Sequence, residues 1–285
     1  MPKEALQGYF DTHQVRPLGS TPHMHVFGAP DLVIKETQIS RRSIILANTL
    51  PPRNPREIQH KQRKMSPAEI EAAIIAKTKD LNTTIQTGKE RLGGLVIPYE
   101  TPDMIIAKVR HGLFPLLTSE RTFQGPMIQE RIPKEHNLAK YLEILGYLHR
   151  FSDIQILLNK TIELAKTAID TGAFPLDLKP QDLALKATEE DHEDDILLFQ
   201  DIGSITFNQK IAKAALSNSD KRAKQAFICV NSFYDAFLRD DKSLDTIKDL
   251  INDFSREVAT LYSADTIHRL KSPIRESKPV KDCQF

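Results

Sequence analysis

Pro175-Leu176-Asp177-Leu178-Lys179-Pro180-Gln181-Asp182 opens the stretch that decides the fold, and Ile196-Leu197-Leu198-Phe199-Gln200-Asp201-Ile202-Gly203 closes it. Between them lie a second apolar run, Leu183-Ala184-Leu185, and an acidic turn from Glu189 to Asp195. Two short apolar runs flanking a polar turn predict a β-hairpin. Such a hairpin brings Asp177, Lys179 and Asp182, ahead of its first strand, next to Asp201 behind its second. Three carboxylates and one ammonium in one place suit a divalent cation and a phosphate, because hard cations take carboxylate oxygens and a positive side chain neutralises phosphate charge. The acidic turn itself lacks the glycine and the regular ligand spacing of a calcium loop and reads as a solvated turn.

The composition sets bounds around this stretch. The chain has 285 residues, enough for one large domain or two lobes, and is 40% hydrophobic and 27% charged, ordinary values for a globular protein. A net charge of +1 argues against a general nucleic-acid binder. Cys229 and Cys283 are two lone thiols without metal-ligand spacing, which points to a reducing, cytoplasmic setting and no disulfide framework. No apolar run approaches the roughly 18 residues of a membrane span, and the polar, acid-containing start is not that of a signal peptide. Export into another cell as an effector stays open.

Residues 1–15 are polar and are expected to be poorly ordered. Between Arg16 and Glu36 a strand–turn–strand pattern ends in Leu32-Val33-Ile34-Lys35, a β-branched run closed by a lysine. Residues 37–64 form a basic insertion in which Arg41, Arg42, Arg53, Arg56, Lys61, Arg63 and Lys64 outnumber the acids. It reads as a solvated loop, with peripheral contact to an anionic surface through residues 41–64 as the sharper possibility. Ser66-Pro67-Ala68-Glu69 is a helix start with a capping box, and Ile70, Ile74, Leu81 and Ile85 carry helical spacing to about Thr87. Glu69 is taken up by capping, which leaves Glu71. Leu95-Val96-Ile97, Met104–Ala107 and Met127–Ile132 read as strands.

Helices follow. Leu138, Tyr141, Leu142 and Leu145 share one face. A longer stripe from Ile154 to Ile169 ends near Thr171-Gly172. Leu244, Ile247, Ile251, Phe254, Val258 and Leu261 mark a third helix, and residues 265–285 read as a polar tail. A strand-rich first part and a helical second part imply α+β architecture rather than alternating α/β.

This order, with these residues, resembles the protein kinase-like fold. Asp177-Leu178-Lys179-Pro180-Gln181-Asp182 is similar to the catalytic loop of that superfamily, usually His-Arg-Asp-Leu-Lys-Pro-Glu-Asn, and Asp201-Ile202-Gly203 to its metal-binding Asp-Phe-Gly. Val33-Ile34-Lys35 resembles the third strand with its lysine, and Gln129–Pro133 the hinge between lobes. The resemblance covers roughly residues 15–210 and is that of a small, divergent bacterial-type member. It implies a bilobal α+β fold: a strand-rich N-lobe with one main helix over 16–132, a shortened helical C-lobe over 133–264, and the catalytic hairpin at 175–203.

The resemblance also implies an ATP- and Mg²⁺-dependent phosphotransferase acting on a hydroxyl of an unidentified protein or small molecule. Asp177 would serve the acceptor and Lys179 the moving phosphoryl group. Asp182, where the family has Asn, and Asp201 would hold the metal. Lys35, oriented by Glu71, would hold the α- and β-phosphates. Val33 and the backbone of Glu130 and Ile132 would contact adenine. Pro175 and Leu176 replace the His-Arg pair, the glycine loop is thin, and no Ala-Pro-Glu follows Gly203. These departures keep a second function open, a pseudokinase that binds nucleotide or protein without catalysis. Nucleotidyl transfer on the same fold is a third, which no residue decides.

Overall fold

A computed structural model of the protein describes residues 3–20, 24–37, 66–110, 118–186, 196–237 and 244–271. The basic insertion beyond Thr37, the acidic turn before Ile196 and the tail beyond Lys271 lie outside these residues. The chain mixes helix and sheet, with its strands concentrated in the N-terminal region. It divides into two compact units, one of Met1–Ile85 with Pro98–Arg131, the other of Gln86–Ile97 with Ile132–Phe285.

The first unit is built on a five-stranded sheet. Strands β1 (Arg16–Ser20), β2 (Met24–Gly28), β3 (Leu32–Thr37), β7 (Met127–Glu130) and β4 (Tyr99–Glu100) lie side by side in that order, and each neighbouring pair is antiparallel. Strands β5 (Met104–Arg110) and β6 (Thr118–Gln124) pair separately. Successive side chains of a strand point to opposite faces. On β3 this sends Ile34 into a core with Phe27, Ile105, Phe123 and Ile128, and turns Val33 and Lys35 to the other face.

Helix α1 (Lys3–Thr12) packs Leu6 and Phe10 into the same core, where the sequence predicts a poorly ordered segment. The two residues stand one turn apart, with Tyr9 packed against the same core, and burial against β5 supplies what so short a helix lacks alone. Helix α2 (Pro67–Arg91) starts with the predicted capping box: Glu69 accepts from the Ser66 N–H at 2.8 Å, and the Ser66 hydroxyl accepts from the Glu69 N–H at 3.2 Å. It outlasts the expected end near Thr87 by about one turn.

The second unit is helical, with α3 (Leu138–Tyr147), α4 (Phe151–Asp170), α5 (Gln209–Ala215), α6 (Ser219–Tyr234), α7 (Leu244–Leu261) and α8 (Ala264–Lys271). The predicted α4 stripe is the buried one: Ile154, Leu157, Leu158, Ile162, Ala165, Ala168 and Ile169 are all inaccessible or nearly so. Gly172, at φ +86°, takes the left-handed conformation that lets the chain leave α4 and enter strand β8 (Phe174–Pro175). Helix α8 occupies part of what reads as tail in the sequence. Leu95–Ile97 is not a strand. After the turn at Gly93-Gly94 only three residues precede Pro98, and they make a single bridge: Ile97 donates to the Phe199 carbonyl at 3.0 Å, and Phe199 to Leu95 at 2.8 Å.

Candidate functional site

The opening stretch folds as a hairpin. Strands β9 (Leu183–Lys186) and β10 (Ile196–Phe199) pair antiparallel, with Leu183 opposite Phe199. Outside the hairpin, β8 pairs with β11 (Ile205–Thr206), Pro175 opposite Ile205. The two segments that carry the charged residues are therefore fastened to each other twice. At the hairpin end the Asp182 carbonyl accepts from the N–H groups of Gln200 and Asp201, at 2.8 and 3.3 Å. At the other end the Ser204 carbonyl accepts from Leu176 and Asp177, at 2.8 and 3.1 Å.

Between these ties the side chains are placed by local chemistry. Pro180 opens a 3₁₀ turn, Pro180–Asp182, where its fixed φ fits and its missing N–H costs nothing. Lys179 donates to Asp177 Oδ2 in an ion pair that is partly open to water. Asp201 caps the next 3₁₀ turn, Ile202–Ser204: its Oδ1 accepts from the Gly203 N–H at 3.0 Å, while its carbonyl accepts from the Ser204 hydroxyl at 2.7 Å. This cap fixes the carboxylate and does not use its second oxygen.

Asn137, which the sequence reading does not single out, joins both segments from outside. Its Nδ2 donates to the Gln181 carbonyl at 2.8 Å and to Gln200 Oε1 at 3.2 Å, while its Oδ1 caps α3 by accepting from Ala139 at 3.2 Å. An N-cap Asn ahead of Leu138 is legible as a cap; its distant partners, which include the Leu183 carbonyl at 3.4 Å, are not.

Below the loop lie two buried acids. Cys229 and Tyr262 are 1% and 2% exposed. Burial, then the charge of Asp177, pushes the Cys229 thiol far above its ordinary range. Burial first, then the Cys229 thiol and Asp177, does the same to the Tyr262 phenol. Both groups stay neutral and uncharged under the aspartate.

Asp177, Lys179, Asp182 and Asp201 thus belong to one short tied structure in the second unit. Ile132 is also in that unit and packs against Ile97, Ala184 and Leu198. Lys35, Val33 and Glu130 belong to the first. Lys35 stands opposite Val26 on β2 and Met127 on β7 and is 9% exposed. Val33 is buried opposite Gln129, and Glu130 is exposed opposite Leu32. At the end of β7, Arg131 donates its N–H to the Asp31 carbonyl at 2.8 Å and a guanidinium N–H to Ala29 at 3.1 Å. Glu71 is exposed in the second turn of α2.

Among the described residues no group of three or more His, Cys, Asp and Glu side chains is placed to hold a metal by itself. Mg²⁺ is usually held by one or two carboxylates and completes its shell with water and substrate phosphate. Asp182 and Asp201 are two carboxylates of the donor type such an ion would take from a protein, and among the described residues they belong to no self-sufficient protein cage.

No family model matches the sequence, and no curated protein does. Among solved structures, "WaaP in complex with acyl carrier protein" matches over 92% of this chain and 97% of that one, at 10% identity and a TM-score of 0.38. WaaP is a kinase of the protein kinase-like fold, a distant neighbour whose likeness does not bear on substrate or mechanism. Among the described residues no helix is long and apolar enough to cross a membrane.

Proposed function

We propose that the protein is an ATP- and Mg²⁺-dependent phosphotransferase of a bilobal, protein kinase-like α+β fold that moves the γ-phosphoryl group to a hydroxyl of its acceptor. One observation carries this reading: the segments bearing Asp177, Lys179, Asp182 and Asp201 are tied at both ends, by the Asp182 and Ser204 carbonyls. Four charged side chains of the types phosphoryl transfer needs are thereby kept within one rigid pair of turns. Phosphoryl transfer asks little of the protein beyond such positioning and charge stabilisation.

Mg²⁺-ATP supplies the phosphoryl group and screens its charge. Asp177 accepts or orients the proton of the attacking hydroxyl. Lys179, paired with Asp177, turns its ammonium to the transferred group when phosphate is present. Asp182 and Asp201 hold the metal, and the cap on Asp201 keeps that carboxylate from rotating away. Lys35, on β3, takes the α- and β-phosphates, with Glu71 as its orienting partner. Val33 and the backbone of Glu130 and Ile132 take adenine.

The test is transfer from labelled ATP, or ATP turnover, with Mg²⁺, in the wild type and in Asp201→Ala. Turnover lost in the variant is expected; equal turnover in both would sink the reading. A melting-temperature rise with ATP and Mg²⁺ but no turnover would instead make the protein a nucleotide-binding pseudokinase. Mass spectrometry of the acceptor distinguishes a phosphoryl from a nucleotidyl addition.

A further inference from the structure

The two residues ahead of Asp177 are Pro175 and Leu176. Neither side chain can hydrogen-bond, and Pro175 has no N–H to offer. The backbone at Asp177 must be held by other groups. On one side the Ser204 carbonyl takes the N–H of Leu176 and of Asp177. On the other side stands Tyr262. Its hydroxyl donates to the Pro175 carbonyl at 3.3 Å. One phenol thus holds the main chain two residues ahead of the aspartate.

Tyr262 is itself well fixed. It follows α7, donates its N–H to the Val258 carbonyl at 3.2 Å, and meets Phe174 edge-on with ring centroids 5.9 Å apart. Just beyond it the Thr266 hydroxyl donates to the Leu261 carbonyl at 2.7 Å. Helix α7 is anchored in turn on α6, where Phe233 and Phe254 pack at 4.7 Å. A ring 2% exposed, set on a fixed corner, transmits that rigidity to the loop through one hydroxyl.

Resting on the phosphotransfer reading above, we infer that Tyr262 is a positioning residue: its buried hydroxyl holds the Pro175 carbonyl and so sets the backbone leading into Asp177 and the aim of its carboxylate at the acceptor hydroxyl. A misplacement of about 1 Å can lower a rate by about a hundredfold, so the hydroxyl acts on kcat. It touches neither nucleotide nor metal, so KM for ATP does not change.

The experiment compares the full-length wild type, Tyr262→Phe and Tyr99→Phe. Tyr99 is a second buried tyrosine, in the other unit, whose hydroxyl donates to the Ile85 carbonyl; its variant controls for loss of a buried hydroxyl in general. Hydrogen exchange is followed in peptides covering 174–180, together with kcat and KM for ATP. Tyr262→Phe is expected to speed exchange in 174–180 alone and to lower kcat about ten- to a hundredfold at unchanged KM. Tyr99→Phe is expected to do neither. Unchanged exchange in 174–180 overturns the clamp. Faster exchange with wild-type kcat, or a rise in KM alone, overturns the positioning role. If the wild type shows no turnover that depends on Asp201, the phosphotransfer reading fails and the positioning role fails with it, while the exchange result still decides whether Tyr262 holds the loop.

Discussion

Both side chains of the Asp177–Lys179 ion pair are more than a third exposed, 41% and 37%. Water screens such pairs, and they contribute about 0–1 kcal/mol to stability. A catalytic proton acceptor contributes about 10²–10⁴ in rate. The two quantities separate the roles of Asp177. In Asp177→Ala the melting temperature is expected to stay within a degree or two of wild type, while turnover of ATP into acceptor falls by about two to four orders of magnitude; a large drop in melting temperature with intact turnover would make the residue structural. That Asp177, Lys179 and Asp182 share one segment with the hairpin was legible because they lie within six positions and the apolar runs beside them pair as read. Asn137 and Tyr262 were not. Asn137 finds its loop partners 44 and 63 positions away, and Tyr262 finds Pro175 87 positions away. No local pattern encodes a hydrogen bond of that span.

Elements were read well where period and punctuation agreed and poorly where stability comes from elsewhere. Helix α4 has an apolar stripe and a glycine stop, and both are seen. Ala at Gly172 would meet nothing closer than the Arg91 guanidinium at 3.8 Å, so only the positive φ opposes it. Gly172→Ala is expected to cost roughly 1–2 kcal/mol in urea unfolding, and a neutral result would mean the α4 exit can relax out of the left-handed region. Helix α1 is the opposite case. Its 10 residues average out as polar, yet Phe10 is 1% exposed and sits in the core of the first unit. Truncating a buried Phe costs about 3–5 kcal/mol. Phe10→Ala should lose stability of that order in chemical denaturation; a loss under about 1 kcal/mol would show that α1 is dispensable to that core. Leu95–Ile97 failed as a strand because β-branched content reports a preference for extended backbone, not how many partners a segment between two glycines and a proline can reach.

The order of the whole molecule, strands first and helices after, follows from where the hydrophobic period changes, and so the α+β class was readable. The division into units was a different matter, since Gln86–Ile97 joins the helical unit through backbone bonds to Phe199 that no composition shift marks. One global property follows from the buried acids. Cys229, Tyr262 and Tyr99 all have protonation equilibria displaced upward, with burial the largest cause in each. Their ordinary values are 9.0 for the thiol and 10.0 for the phenols. Below about pH 8 every one is protonated in both states, and none makes stability depend on pH. Above it the unfolded thiol releases its proton while the folded thiol keeps it, so the unfolded state binds fewer protons and stability falls with rising pH. The tyrosines add to this from about pH 10. Each group contributes up to about 1.4 kcal/mol per pH unit. The urea midpoint is therefore expected to be flat with respect to these groups from pH 7 to 8, to decline from about pH 9, and to steepen past pH 10. Cys229→Ala should remove the first part of the decline and leave the second, whatever its effect on absolute stability. A midpoint that declines identically between pH 8 and 10 with and without the thiol would mean that Cys229 is not held neutral beneath Asp177.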